Sequence, residues 1–159
     1  MATTTFQGIV RSHGGQDKSA TTPGVVVLSE IISFDAAATA VSLTPVRIGT
    51  SATAGKTFVL PAGAVPISFT VVVPSTGAGS TVDIGTTADV DGFFNEVTSV
   101  TKGSIKGADG ALVVAGGITA NATVAASVGG TAGTGTVTGV FTYTVADNAK
   151  PGESQPELV

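Results

Sequence analysis

Asp89-Val90-Asp91-Gly92 opens like a calcium-binding loop, with carboxylates at the first and third ligand positions. Such a loop next needs an oxygen ligand at its fifth position and glycine at its sixth. Phe93 and Phe94 stand there instead, which excludes an EF-hand. A carboxylate site shared with Asp83 stays open beside the simpler reading, a turn, because Asp and Gly both suit turn dihedrals. No metal ligand is assigned.

Gly49 to Thr57, GTSATAGKT, approaches a phosphate-binding loop, but five residues separate its glycines where the motif has four. Phe58, Val59 and Pro61 follow. They are strand-like and do not supply the helix N-terminus whose free N–H groups hold phosphate. His13 is the only histidine and sits between Ser12 and Gly14 in a polar terminal stretch. A Ser–His–Asp triad needs that ring rigidly mounted. Asp83, Asp89, Asp91 and Glu96 could furnish a carboxylate pair for glycoside hydrolysis. Sugar sites present aromatic platforms, however, and this chain has no Trp and one Tyr. Asn121-Ala122-Thr123 fits a glycosylation sequon, which means little without a secretory signal. No catalytic residue, cofactor-binding residue or cofactor is assigned, and no enzymatic activity is expected.

The elements that would position these groups are strands. Val25 to Phe34 is apolar on both faces, with Val25, Val27 and Ile31 on one and Val26, Leu28, Ile32 and Phe34 on the other. Val41 and Leu43 alternate, Pro45 interrupts, and Val46 and Ile48 resume in the other phase, as at a bulged edge. Thr57 to Leu60 is a short strand. From Pro66 onward, Ile67, Phe69, Val71 and Val73 form one face against Ser68, Thr70 and Val72, which predicts that the first set is buried. Val82 and Ile84 continue the pattern. Asn95 to Thr101, with Val97 and Val100 inward, Ser104–Ile105, Ala111 to Val114, Thr123 to Val128 and Thr136 to Val145 complete it. In the last two, Val124, Ala126 and Val128, then Phe141, Tyr143 and Val145, are the inward sets. No stretch has a convincing helical period. The count of about eight strands between Gly- and Pro-rich turns predicts an all-β sandwich, most simply a jelly roll, with an immunoglobulin-like sandwich as the alternative.

The 159 residues fit one domain able to bury a core without disulfides or metals. The expected division is an N-terminal arm (1–24), a sandwich domain (25–145) and a C-terminal tail (146–159). With no cysteine, the redox compartment is unreadable. Charged residues make up 11% of the chain, against about 25% in typical domains. The seven basic residues are scattered and the net charge is −4, which argues against nucleic acid as a partner. No apolar run reaches the roughly 18 residues of a membrane span, and the N-terminus lacks the pattern of a signal peptide.

The run LPAGAVPISFTVVV, a glycine-rich pause, VDIGTTADVDGFF, a Lys-Gly turn and a late strand ending FTYTV resemble a family of small virion proteins. These are the capsid decoration, or cement, proteins of tailed bacteriophages, with a jelly-roll-type fold. The resemblance covers Thr57 to Val145. It implies a homotrimer on the outer capsid surface, at threefold or quasi-threefold positions, bridging neighbouring major capsid proteins of the virion. A head-fibre, tail or adhesin module that binds a host-surface receptor is the alternative. Under the first reading Phe6, Ile9 and Val10 would anchor the arm on the shell. Val26, Leu28 and Ile32, or the alternate face Val25, Val27 and Ile31, would serve the subunit interface, unless both faces are core.

Overall fold

A computed structural model describes residues 25–36, 44–77, 80–129 and 132–146. Ten strands and one helical turn follow in order: β1 (Val25–Asp35), β2 (Thr44–Pro45), β3 (Arg47–Ile48), β4 (Val59–Leu60), β5 (Ala64–Val73), β6 (Thr81–Thr86), β7 (Phe94–Thr98), β8 (Ile105–Gly107), α1 (Ala111–Val114), β9 (Ala122–Val128) and β10 (Thr136–Ala146). The expected arm, and the tail beyond Ala146, lie outside the described residues.

Two antiparallel sheets face each other. The first runs β3-β1-β10-β5-β8; the second runs β2-β9-β6-β7, with β4 also paired to β9. With β3 and β4, short strands that add to β1 and β9, set aside, eight strands remain. They run first–eighth–third–sixth in one sheet and second–seventh–fourth–fifth in the other. That is the winding of a jelly roll, as expected, and it puts the first strand beside the last. β1 and β10 pair without interruption from Val25↔Ala146 to Asp35↔Thr136.

The core is aromatic. Phe34, Phe69 and Phe141 come from the first sheet, Phe94 from the second, and Phe58 and Phe93 from the segments beside them; all are buried. Phe141 is the hub, with ring centroids 5.3 Å from Phe58, 5.3 Å from Phe94 and 6.3 Å from Phe93. Edge-on packing of this kind adds about 0.5–1.5 kcal/mol per pair beyond burial. Val82, Ile84, Val97, Val124 and Ala126 fill the space from the second sheet. Gly139 faces inward on β10, and a Cβ there would run into the Phe69 ring. Glycine in mid-strand thus lets a large neighbour approach.

Three expectations are corrected. Ala111–Val114 is a helical turn, not a strand. Its carbonyl and N–H groups bond locally, as in Ala115 N–H to Ala111 O, and Gly92 O accepts from Leu112 N–H. Val100 lies beyond β7 and is half-buried, whereas Val97 is buried. The predicted inward set of β5 is also split. Phe69 and Val71 are buried, but Ile67 and Val73 are exposed. The register with β10 slips twice, between Thr138/Gly139 and between Thr142/Tyr143. Each slip adds one residue to β5, first Val72 and then Ile67, and each bulge reverses the alternation. Pro66 sits beside the second bulge, where a ladder already broken tolerates its missing N–H.

Candidate interaction face

The outward surface of the first sheet is built by register. On β1 the inward positions are Ile32 and Phe34, so Val27, Ser29, Ile31 and Ser33 point out. Across the ladder, Ile31 pairs with Val140, Val140 with Thr70, and Thr70 with Ile105. The next row is Ser29, Thr142, Ser68 and Gly107. Beyond it, Val27 pairs with Thr144 and Thr144 with Val65. The two bulges add Ile67 and Val72 to this side, and Val73 stands opposite Thr138.

None of these outward positions carries a charge. Ile105 is 69% exposed and Val27 60%, and Ile31, Ile67, Val72 and Val73 are also exposed. The hydroxyls among them are largely occupied within the sheet. Ser29 Oγ and Thr142 Oγ1 share a hydrogen bond of 3.2 Å, and Thr144 Oγ1 donates to Val65 O at 3.3 Å. Ser33 Oγ and Thr138 Oγ1 lie 3.1 Å apart. Ser33 Oγ also donates to Gly49 O, so the following loop covers that end. Hydroxyls already paired cost little to remove from water, because no donor is stranded when a partner arrives. The face therefore presents methyl groups over a satisfied polar layer.

The residues named from sequence for the subunit interface divide. Val27 and Ile31, the alternate face, are exposed. Ile32 is fully buried between the sheets and has no surface to offer a partner, which corrects its assignment. Leu28 shares the inward phase but lies near the end of the strand and is 39% exposed. Val26 pairs with Val145 in the backbone ladder, and its side chain is outside the described residues. Phe6, Ile9 and Val10 are outside them too, as is His13.

At the second sheet the acidic residues hold backbone. Thr86 Oγ1 accepts from Asp89 N–H at 3.1 Å, and Asp89 O accepts from Thr86 N–H and Gly92 N–H, closing the turn. Asp83 Oδ1 accepts from Glu96 N–H at 2.8 Å. Glu96 adopts φ 53°, the left-handed region, and the Asp83 carboxylate holds that bulge. Burial pushes the Asp83 carboxyl up, with the charges of Asp91 and Glu96 adding to it against the Glu96 N–H. Burial also raises Asp89, together with its hydrogen bond to Asp91. Among the described residues no three His, Cys, Asp or Glu side chains are grouped to hold a metal ion. Gly49 to Thr57 forms a loop that returns to pair Thr57 with Arg47, and β4, not a helix, follows. Asn121 Oδ1 accepts from Ala62 N–H at 2.9 Å, a structural use of the sequon asparagine.

No family model matches the chain, and no curated protein matches it. Among solved structures, a chain of the cyanophage Pam1 capsid asymmetric unit is similar, with TM-score 0.48 and 17% identity. The alignment covers 91% of this chain and 98% of that one.

Proposed function

We propose that this chain is a capsid decoration, or cement, protein of a tailed phage. It assembles as a homotrimer on the outer surface of the head and bridges neighbouring major capsid proteins. Its role is mechanical and non-enzymatic. The observation that carries this reading is the methyl-rich outer face of the first sheet, whose outward positions carry no charge from Val27 to Ser33 on β1 and across β10, β5 and β8. Depletion of charge is what marks the buried centre of a protein–protein contact, and contiguous exposed apolar surface marks an interaction site. The sequence resemblance of Thr57 to Val145 supports the choice of partner. Repetition over a lattice lets each contact stay modest, because the contacts add by avidity.

The test is native mass spectrometry of the purified chain, alone and mixed with phage heads that lack it. A trimer that saturates the heads at fixed copy number and raises their melting temperature is the expected result. A chain that ignores the heads overturns the reading, and a screen of host-surface receptors then tests the adhesin alternative.

A further inference from the structure

Among the described residues, β1 has no strand partner along half of one side. β10 covers the other side over its full length. On the open side, among the described residues, β3 pairs only with Ile32 and Ser33, and Gly49 N–H reaches Ile31 O. The Ile31 carbonyl therefore points to this side. By alternation, the N–H and C=O groups of Val25, Val27 and Ser29 point there too.

The other sheet edges carry the features that block strand addition. β2 holds Pro45, and β3 is two residues long with Arg47. β7 is bulged at Glu96 with positive φ, and β8 is three residues long with Lys106. The open half of β1 has none of these. Val25-Val26-Val27-Leu28-Ser29 contains no charge and no proline, and its register with β10 never shifts.

We propose that this edge is completed by the N-terminal segment of a second copy of the chain, which adds a strand beside Val25 to Ser29. Residues 1–24 join β1 at Val25, at the end of the open edge. Fully extended, such a length spans about 80 Å, enough to cross to a neighbouring copy. Thr3-Thr4-Thr5-Phe6 and Ile9-Val10 are strand-forming residue types. Arg11 complements Glu30, the first charge met along β1. The donor belongs to a sister copy because a tight hairpin within one chain would lay Gln16-Asp17-Lys18-Ser19 against the apolar edge. The strand-forming residues lie further back, on a tether suited to reaching away. Head-to-tail exchange, in which each copy gives and receives one strand, makes a ring where the rotation between copies closes and an open filament where it does not.

Disulfide trapping on the full chain tests this, since the protein has no cysteine of its own. Chains carrying Val27→Cys are mixed with chains carrying Phe6→Cys, Ile9→Cys or Val10→Cys and then oxidised. Cysteines join only when their Cα atoms lie within about 7 Å, so cross-strand neighbours alone react. The expected result is a mixed dimer with at least one partner position, absent when either variant is oxidised alone. As a second readout independent of register, the Val27 and Ser29 amides should exchange about tenfold more slowly at assembly concentration than at high dilution. A double variant that closes on itself within one chain overturns the proposal in favour of a hairpin. No disulfide at any of the three positions, with exchange unchanged by dilution, also overturns it. The assay uses no phage heads, so its failure is separate from failure of the capsid-binding reading.

Discussion

The ring of Phe141 stands edge-on to that of Phe94, with centroids 5.3 Å apart and planes at 89°. One comes from the last strand of the first sheet and the other from the second sheet, so this pair ties the two layers together. Phe141 also meets Phe58 and Phe93, so its removal opens a cavity walled by rings that cannot easily collapse. Phe141→Ala should cost about 3–5 kcal/mol. Denaturant unfolding measures it, and a loss comparable to that of an exposed substitution would mean the rings do not pack as described.

Gly139 and Phe69 form a second such dependency, of opposite sense. Gly139→Ala adds a methyl where the Phe69 ring lies, and overpacking of this kind costs about 1–3 kcal/mol. Phe69→Leu should recover part of that loss when combined with Gly139→Ala. A double-mutant cycle reads the coupling, and strictly additive effects would contradict the contact.

Ile31 and Ile105 lie at opposite ends of one row on the outer face. Ile31→Lys with Ile105→Lys should leave monomer stability within about 0.5 kcal/mol for each change, because both side chains are exposed. The same pair should abolish binding to phage heads. Sedimentation of heads with wild-type and variant protein separates the outcomes. Undiminished binding would move the contact to another surface.

Asp83 and Asp109 should give opposite pH dependences. The folded pKa of Asp83 is raised above 3.8, mainly by burial, so its ionised form is the disfavoured one in the folded state. Its contribution makes stability rise as pH falls from above the raised value toward 3.8, and the penalty is fully present at neutral pH. Asp83→Asn retains an acceptor for Glu96 N–H and should stabilise the protein at pH 7 while removing that slope. For Asp109, burial raises the pKa, but hydrogen bonds from Lys106 and Asn95 N–H outweigh it and the net shift is downward. Its stabilisation is present above 3.8 and lost as pH falls through the lowered value. Because the Asp109 side chain is 46% exposed, its effect should be small. Melting temperatures of both Asn variants across pH 2–7 check the two signs.

The sandwich was legible because Thr123 to Val128 and Thr136 to Val145 alternate between turn residues, and Val124, Ala126, Val128, Phe141 and Tyr143 of their inward sets are buried. The phase of β5 was not. Its bulges arise from pairing with β10, more than sixty residues away, and nothing in PISFTVVV marks where the ladder slips. Ala111–Val114 misled for a local reason: four apolar residues fit a strand or a helical turn equally well. The outer face was half visible. A strand apolar on both sides announced a second buried or contacting surface, but which side held the core depended on Phe34 and Ile32 meeting the opposite sheet.

The pairing of Val25 with Ala146 brings the two ends of the sandwich to one rung of one sheet. A segment joined directly before Val25 or directly after Ala146 therefore leaves the sandwich from the same pole. Ends this close also permit the chain to be reconnected there and reopened at a surface turn such as Lys102-Gly103. β1 and β10 would then become two arms of one hairpin, and the order of synthesis would change while the order of strands in the sheet stayed the same.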